Sequence, residues 1–254
     1  MALRKSDLKN VFVRLFGWRA TLLHGDPTMF DRWRWASRRM RTGPVRTLDV
    51  GSGSGPFSIY AAVNGNRVTG LSYDEKLNAV ARERARLSGV DDLDLRELDL
   101  RELDGAGLRS YDQILCLEVI EHLIEDERLV AGLGRLLEPG GRLLLSAPHE
   151  GHRRLFGEVV VDTEDGRHVR YGYSRERIEE IVRAAGLELE EVGYVSGVVS
   201  QMITNAMRVL ARVNYQLAWF ATMPLRLLQP LDRPLTRLVR WPWLSIAAVA
   251  VKRP

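Results

Sequence analysis

The stretch TLDVGSGSGPF, residues 47–57, leads an apolar run directly into three glycines spaced two residues apart. Residues 45–50 have the composition of a buried strand, and residues 57–63 have that of a helix whose first position is Pro56. A strand, a glycine turn and a helix in this order direct free backbone N–H groups towards a ligand. A dinucleotide-binding turn needs a further glycine three residues after Gly53, where this chain has Pro56. The spacing therefore indicates a different nucleoside cofactor.

The composition limits the class of protein. The 254 residues are 45% hydrophobic and 28% charged, which is typical of a globular chain with one core and some additions. Cys116 is the single cysteine, so no internal disulfide is expected, in keeping with a reducing cytoplasm. The first residues lack the apolar stretch of a signal peptide, and no uncharged apolar run reaches the ~20 residues that cross a bilayer. We therefore expect a cytoplasmic protein without a transmembrane segment.

Strand and helix patterns alternate through the middle of the chain. Helical patterns are predicted over residues 74–87, 121–137 and 174–186, and EPGG at 138–141 indicates a turn. After the first strand, strand patterns are carried by RVTGLS, LDLRELD, YDQILCL, RLLLSAP, LELEEVGYVS and SIAAVAVK. This alternation predicts an α/β fold, an open and mostly parallel sheet with helices on both faces. Ligands of such sheets bind beyond the C-terminal ends of the strands.

The two flanks of the chain differ from its middle. Arginine and lysine far outnumber acidic residues before residue 47 and after residue 201, and all six tryptophans lie in these flanks. A helix with Asp26 as its cap is predicted to run to Met40, and a second helix is predicted over residues 202–220. The second helix has an apolar stripe of Ile203, Ala206, Leu210, Val213 and Leu217. The opposite faces place Trp35 among Arg32, Arg34, Arg38 and Arg39, and Trp219 near Arg208 and Arg212.

Tryptophan within an arginine face is typical of a helix that lies at a membrane interface. One interpretation is therefore contact with an anionic membrane surface or a lipid-like substrate. The alternative is a helical lid whose outer tryptophans pack against each other or stack on arginine. The sequence argues against nucleic acid as a partner, because the basic residues are confined to the flanks and no RNA-binding motif accompanies them.

These patterns divide the chain into three parts. We predict an N-terminal helical cap over residues 1–44, a core over 45–199 and 242–254, and a helical insertion over 200–241. The cap and the insertion each carry an apolar stripe that must be buried, and neither is long enough to be stable alone. We therefore expect them to pack together as a lid over the site of the acceptor.

Three motifs follow one another along the core: LDVGSGSG at 48–55, YDQILCLEVIEHL at 111–123 and LLEPGGRLLLSAP at 136–148. In this order and spacing they resemble the class I S-adenosylmethionine-dependent methyltransferases, over roughly residues 45–196 and the last strand. The resemblance implies a Rossmann-like sheet of seven strands and S-adenosylmethionine as cofactor. We expect a methyltransferase that methylates a hydroxyl of a small or lipophilic acceptor, similar to the O-methyltransferases of the ubiquinone pathway.

The resemblance also implies the cofactor contacts. Gly51 and Gly53 would let the backbone close on the methionine end, with Asp49 near its amino group. Asp99 would accept a hydrogen bond from the adenine amino group, although a solvated residue in a charged strand is the alternative. The full set implied is Asp49, Gly51, Ser52, Gly53, Ser72, Tyr73, Asp99, Leu100, Leu117 and Glu118. Of these, Leu100 would supply a backbone N–H, and Leu117 and Glu118 would border the sulfonium and the acceptor.

One position departs from the family pattern. The second strand usually ends in an acidic residue that holds the ribose hydroxyls, about 20 residues past the glycines. This chain has Ser72 there, and a neutral hydroxyl binds a ribose hydroxyl more weakly than a carboxylate does. Asp74 is the alternative ribose ligand.

The residues on the acceptor side of the site allow two interpretations. His122 and His168 are candidate general bases for an acceptor that carries a proton. Glu118, Glu121 and His122 have i, i+3, i+4 spacing, which is one face of a helix if a helix begins there. With His168 they resemble the divalent-metal site of plant-type small-RNA 2′-O-methyltransferases, a set suited to Mn²⁺, Zn²⁺ or Mg²⁺. The alternative is that Glu118 touches the cofactor while Glu121 and His122 form a helix cap and supporting hydrogen bonds.

Two rival functions remain open at this point. A small-RNA 2′-O-methyltransferase would share the metal motif. A non-catalytic S-adenosylmethionine-binding regulatory subunit is favoured only by Ser72 and is opposed by the intact glycine loop and the EVIEH string.

Overall fold

The computed structural model describes residues 5–23, 25–155 and 159–254, with side chains described from Asn10 onward. The helices are α1 Lys5–Phe16, α2 Arg19–Leu23, α3 Pro27–Ser37, α4 Pro56–Val63, α5 Glu75–Leu87, α6 Asp126–Leu136, α7 Arg175–Ala184, α8 Val198–Ala211, α9 Tyr215–Thr222 and α10 Asp232–Leu238. The strands are β1 Arg46–Val50, β2 Arg67–Ser72, β3 Asp94–Glu97, β4 Tyr111–Leu117, β5 Leu137–Pro148, β6 Glu188–Val195 and β7 Ser245–Val251.

The strands of the described chain form one sheet in the order β3-β2-β1-β4-β5-β7-β6. Only the last strand, β7, runs antiparallel to its neighbours β5 and β6. The strand order reverses between β1 and β4, which is the place where open α/β sheets bind ligands. The predicted α/β class, the mostly parallel sheet and the Rossmann-like seven-strand arrangement are confirmed.

Alternate residues of the central strands enter different halves of the core. On β5, Leu143 and Leu145 join the cluster that packs with α6 and α7, whereas Leu144 joins the cluster beneath Trp35 and Phe57. All three leucines are at most 1% exposed. Burial on both faces is typical of a sheet covered by helices on each side and accounts for the continuous apolar runs in the sequence.

Local signals predicted several element ends correctly. The side chain of Asp26 caps α3 by accepting a hydrogen bond from the Met29 N–H at 2.9 Å, and Pro27 occupies the first turn. Ser174 caps α7 in the same way, with the Arg177 N–H as its donor. Both caps satisfy a backbone donor that has no partner within its helix.

Two predicted boundaries are wrong. The helix expected over residues 121–137 begins only at Asp126, because Ile120–His122 form a 3-10 turn and Leu123 is extended. The EPGG stretch at 138–141 was predicted as a turn before the strand, but it lies within β5. The chain accommodates it by a register shift against β4, between Tyr111 and Gln113.

The helix predicted over 202–220 is also wrong, since the chain forms two helices there. The side chain of Asn214 accepts hydrogen bonds from the N–H groups of Gln216 and Leu217 and starts α9. The predicted apolar stripe is therefore broken: Ile203 is buried, whereas Val213 is 84% exposed.

Trp35 and Trp219 do not face outward, contrary to the interfacial-helix interpretation. Trp35 is buried against the sheet, with the Arg39 guanidinium 4.9 Å from its ring centre. Trp219 is buried against Phe12, with ring centres 5.3 Å apart. An indole offers a large apolar area, and burying it outweighs the charge pattern of its neighbours. The alternative is supported at Trp35, which stacks on Arg39, whereas Trp219 packs against Phe12 in the interior.

The N-terminal helices and the segment before β7 contact each other directly. The indole N–H of Trp219 and the guanidinium of Arg226 both donate to the backbone oxygen of Leu23, at 3.3 and 2.8 Å. The side-chain amide of Gln229 donates to the backbone oxygen of Pro27 at 3.1 Å. These bonds fix α3 beside the C-terminal edge of the sheet. In the parts of the chain that the structure describes, no helix is long and apolar enough to cross a membrane.

Candidate functional site

A cavity of about 500 Å³ lies at the C-terminal ends of β1, β2 and β4. Its lining residues are Gly51, Gly53, Leu71, Ser72, Tyr73, Leu77, Asp99, Leu100, Arg101, Glu118, Val119, His122, Leu123, Glu164, Asp165 and Gly166. Seven of the predicted cofactor contacts are among them. The cavity is therefore lined by residues that follow each of the first four strands.

The glycine loop after β1 needs glycine for two reasons. Gly51 and Gly53 have φ angles of 69° and 52°, a left-handed conformation that side chains disfavour. A Cβ atom on Gly51 would also lie 2.6 Å from Cγ2 of Val119, and that neighbour is itself part of the cavity wall. The loop therefore brings its backbone to the edge of the cavity.

Three predicted contacts lie behind the cavity wall. Asp49 is 3% exposed, its carboxylate accepts a hydrogen bond from the Ser58 hydroxyl, and burial raises its pKa to about 7. Ser52 is turned the other way, since its N–H donates to the backbone oxygen of Leu71 at 2.8 Å. Leu117 is buried at the end of β4. These residues fix the loop and the strand end, and do not border the cavity as the structure stands.

At the opposite end of the cavity Asp99 is paired with an arginine. Its carboxylate accepts hydrogen bonds from Nε of Arg101 at 2.9 and 3.0 Å, and these bonds lower the pKa of Asp99. Ser72 is buried and accepts a weaker bond from the Asp74 N–H at 3.3 Å. Tyr73 is 69% exposed at the rim. The arginine partner of Asp99 was not predicted from the sequence.

Glu118 occupies a strained position where β4 ends. Its φ of 59° is left-handed, a conformation that costs energy for a residue with a side chain and that clusters at functional sites. Its carboxylate accepts hydrogen bonds from the hydroxyls of Ser146 at 3.0 Å and Ser245 at 3.3 Å. Nε of Arg32, from α3, lies 3.7 Å from the same carboxylate. Residues of three separate elements therefore hold Glu118 in place.

Glu121, His122 and His168 come together as a cluster. One ligand atom of each lies within 4.8 Å of the others, and the two imidazole rings meet edge to face. Glu121 is 1% exposed, and its Oε2 has no hydrogen-bond partner among the described residues. Burial and the neighbouring Glu118 raise the pKa of Glu121 well above its usual range.

The structure brings together three of the four predicted metal ligands. Glu118 is outside the cluster because its left-handed backbone and its two serine partners turn the carboxylate elsewhere. The helix face that was expected to unite it with Glu121 and His122 does not exist, since a 3-10 turn stands there.

The segment that carries His168 is fixed by backbone contacts to the turn after β4. The Val169 N–H donates to the backbone oxygen of Glu121 at 2.9 Å. Arg170 donates to the backbone oxygens of Leu123 and Ile124, both at 2.8 Å, and pairs with buried Asp126 at 2.7 Å. The sequence motifs did not predict these contacts, because Arg170 lies outside all of them.

Sequence reasoning also missed Arg32, Arg101, Ser146, Ser245 and Glu164 as residues of the site. Ser146 and Ser245 could have been found, since each stands at a strand end on the side where ligands bind. Arg32 had no such signal. Its partner Glu118 is far along the chain, and the helix pattern had placed it on an outward face.

The comparisons with known proteins identify the family of the chain. A family model described as a methyltransferase domain matches residues 16–192. The chain is 31% identical over 194 residues to a ubiquinone biosynthesis O-methyltransferase of Xylella fastidiosa (strain M23), covering 72% of this chain and 77% of that one. It is 29% identical over 202 residues to the enzyme of that name from Xanthomonas axonopodis pv. citri (strain 306), covering 76% and 82%.

A solved structure shares the fold. The magnesium protoporphyrin IX methyltransferase (ChlM) of Synechocystis PCC 6803 with bound S-adenosylmethionine aligns with a TM-score of 0.55 at 18% identity, covering 100% of this chain and 99% of that one. The fold, the glycine loop and a family match over more than half of the chain lead to one conclusion. The chain belongs to the class I S-adenosylmethionine-dependent methyltransferases, and S-adenosylmethionine is its cofactor.

Proposed function

We propose that this enzyme transfers the methyl group of S-adenosylmethionine to a hydroxyl oxygen of a small, lipophilic acceptor. The observation that carries the proposal is the meeting of the glycine loop with Glu118 and His122 in one cavity. Relatives named O-methyltransferases support oxygen as the methylated atom. Ubiquinone biosynthesis in their names supports a lipophilic acceptor.

We propose one orientation for the cofactor in the cavity. We propose that Gly51 and Gly53 contact the methionine end, that Ser72 binds the ribose and that Asp99 and Leu100 bind the adenine. Asp49, Ser52, Tyr73 and Leu117 support these contacts from the loop, the rim and the strand end. The methionine carboxylate needs a cation, and Arg32 is the guanidinium beside Glu118 at that end. Arg32 forms no hydrogen bond among the described residues, so its donors are available to this carboxylate.

The methyl transfer needs few catalytic groups. A lone pair of the acceptor oxygen attacks the methyl carbon in line, the carbon–sulfur bond breaks, and its electron pair stays on sulfur to give S-adenosylhomocysteine. The hydroxyl proton must leave the oxygen, and His122, which lines the cavity, is placed to accept it, with His168 beside it. Most of the acceleration then comes from holding donor and acceptor close and in line.

A divalent metal is the second proposal for the same histidines. Glu121, His122 and His168 offer a carboxylate and two imidazoles, and the unpartnered Oε2 of buried Glu121 fits a missing ligand. This donor set suits Zn²⁺ or Mn²⁺. When bound, such an ion supplies Lewis acidity that favours the ionised form of an acceptor hydroxyl. His122 cannot serve both as a metal ligand and as the base, and metal removal distinguishes the two roles.

We also propose that the enzyme binds peripherally to an anionic membrane, through a surface other than the expected tryptophan face. Most of the exposed large apolar side chains of the described chain lie in α8–α10 and their connections, among them Val213, Leu217, Phe220, Leu227 and Leu238. The charged residues exposed between 202 and 240 are all arginines, since the single acid there, Asp232, is buried. Apolar and cationic groups on one surface are the composition that anionic bilayers attract.

The two rival functions gain no support from the site. The arginines of residues 202–240 are interspersed with exposed leucines, a surface that suits a bilayer better than RNA. The proposed activity is tested by incubating the enzyme with methyl-labelled cofactor and an organic-solvent extract of lipids and metabolites, then locating the label by mass spectrometry. Label on an oxygen of a lipophilic compound supports the proposal. Label on nitrogen or carbon, or a protein that binds the cofactor and transfers nothing, would contradict it.

A further inference from the structure

A segment between β5 and α7 lies across the mouth of the cofactor cavity. We call residues 162–170 the roof segment, because Glu164, Asp165 and Gly166 form one wall of the cavity. The approach is close, since a Cβ atom built on Gly166 would lie 3.3 Å from the hydroxyl of Tyr73. A cofactor bound between Ser72 and Asp99 would therefore lie under this segment.

Glu164 connects the roof segment to the rest of the cavity. One oxygen of its carboxylate accepts a hydrogen bond from the Ile124 N–H at 2.6 Å. The other lies 3.5 Å from Nη1 of Arg101. The Glu164 side chain is only 14% exposed, so both contacts are partly shielded from water. This carboxylate is the described link between the roof and the wall that carries Asp99.

Arg101 is shared between two carboxylates. Its Nε lies 2.9 and 3.0 Å from the two oxygens of Asp99, whereas its Nη1 only approaches Glu164. Both oxygens of Asp99 are thus occupied by the arginine. An adenine amino group that donates to Asp99 must displace part of this bonding, and the guanidinium then has Glu164 within reach.

We infer that Arg101 moves from Asp99 towards Glu164 when the adenosine of the cofactor binds, and that this exchange holds the roof segment closed over the cofactor. The inference rests on the proposed adenine role of Asp99. Arg101 is 57% exposed at its side chain, so it has room to change partners. Glu164 is then a positioning residue that retains the cofactor without contacting the reacting atoms.

The exchange predicts a kinetic signature. An interaction that forms only after the cofactor has entered slows its release and leaves its entry nearly unchanged. The measurement is the release of methyl-tritiated S-adenosylmethionine from the full-length protein after a chase with excess S-adenosylhomocysteine, together with the equilibrium Kd by calorimetry.

Glu164→Gln is the sharpest variant, because a glutamine oxygen can still accept from the Ile124 N–H while the charge that attracts Arg101 is lost. We expect about fivefold faster release, as for a partly shielded ion pair. Arg101→Met also frees Asp99 for the adenine, so it serves as the background for a double variant. Adding Glu164→Gln to Arg101→Met should accelerate release no further, because the partner of Glu164 is already gone. Asp162→Asn is the matched control, since Asp162 is an exposed acid of the same segment that does not line the cavity.

Two results would overturn the inference. One is release from Glu164→Gln within about twofold of wild type, and the other is a Glu164→Gln effect that is as large in the Arg101→Met background as in wild type. Asp99→Ala separates this from the adenine assignment. If Asp99→Ala weakens binding while Glu164→Gln changes nothing, the adenine site is upheld and the roof exchange is rejected.

Discussion

Nε of Arg32 lies 3.7 Å from Oε1 of Glu118, which joins the N-terminal helices to the reacting end of the cofactor cavity. The Glu118 carboxylate also accepts hydrogen bonds from two serine hydroxyls. Because it is shared among these partners, it only partly neutralises the Arg32 guanidinium beside the cavity. The pair brings a positive charge to the end of the cavity where the methionine carboxylate is expected. We therefore propose that the N-terminal helices take part in binding the cofactor, through Arg32.

Arg32→Met should weaken S-adenosylmethionine binding by about 10- to 100-fold, the usual worth of a hydrogen bond to a charged group. Arg32→Lys should recover part of the loss, because it keeps the charge without the planar fork. Calorimetric titration gives the Kd. Arg34→Met is the control, since Arg34 lines a different cleft between α3 and β6. Equal affinity of wild type and Arg32→Met would remove Arg32 from the cofactor site.

Asp99→Ala should weaken cofactor binding by about 10-fold or more. It should lower the melting temperature only slightly, because the side chain caps the 3-10 turn of Leu100–Gly105 but carries no core packing. Asp94→Ala is a close match, since Asp94 pairs with Arg96 two residues on, just as Asp99 pairs with Arg101. Parallel titrations of both variants with S-adenosylmethionine decide the point. The adenine assignment fails if the two variants bind the cofactor equally well.

Metal dependence can be tested at the cluster of Glu121, His122 and His168. If Glu121, His122 and His168 hold a divalent ion, chelation should abolish turnover and added Zn²⁺ or Mn²⁺ should restore it. His168→Ala should lower the metal content of the purified enzyme, measured by elemental mass spectrometry. Glu118→Gln should leave that content unchanged, because Glu118 lies outside the cluster. Full turnover after verified metal removal would exclude the metal and leave His122 as the general base.

Asp31 provides a test that depends on pH. It lies on α3 near Ser196, Ser200, Gln229 and Asp232, and burial raises its pKa to about 6. The folded protein therefore binds this proton more tightly than the unfolded chain, and the free energy of unfolding falls as the pH rises from about 4 through about 6. Asp31→Asn lacks this titration. It should be more stable than wild type at pH 8, by up to about 3 kcal/mol, and not at pH 4.

Thermal melts at the two pH values measure this difference, with Asp104→Asn as an exposed control. A stability gap between Asp31→Asn and wild type that is the same at pH 4 and pH 8 would show that Asp31 has an ordinary pKa.

The sequence predicted those features that local chemistry determines. The glycine loop, the caps of α3 and α7 and the alternation that makes the sheet are each set by a few neighbouring residues, and all were predicted correctly. The partners of Glu118 were not, because Ser146, Ser245 and Arg32 reach it from three elements that are distant in the chain. A spacing of three and four residues placed Glu118 with Glu121 and His122 as metal ligands, but the left-handed backbone at Glu118 keeps its carboxylate out of that cluster.

Helical periodicity failed differently in the flanks. It states which residues share a face but not which face is buried. Trp35 and Trp219 were assigned to the outer side because arginines surround them in the sequence. In the structure Arg39 stacks on Trp35 while the indole remains in the core. The exposed surface carries Leu227 and Leu238, which the periodicity had not singled out, and also Val213 and Leu217, which it had assigned to the buried stripe.

That exposed surface leads to the membrane prediction. Leu227 and Leu238 are 83% and 78% exposed, and Arg237 and Arg240 are exposed close to Leu238 in the chain. Each arginine near an anionic bilayer contributes about 1 kcal/mol, so several can hold the enzyme reversibly. We expect the protein to co-sediment with vesicles rich in phosphatidylglycerol, less so as salt rises, and weakly with phosphatidylcholine vesicles.

The variants separate the two contributions to vesicle binding. Leu227→Asp with Leu238→Asp should nearly abolish it, whereas Arg237→Glu with Arg240→Glu should reduce it chiefly at low salt. Both pairs should keep wild-type affinity for S-adenosylmethionine, because these side chains do not line the cofactor cavity. Val63→Asp controls for an added charge at an exposed apolar residue elsewhere. If the wild-type protein stays in the supernatant with phosphatidylglycerol vesicles at low salt, the membrane proposal is wrong and the leucines need another partner.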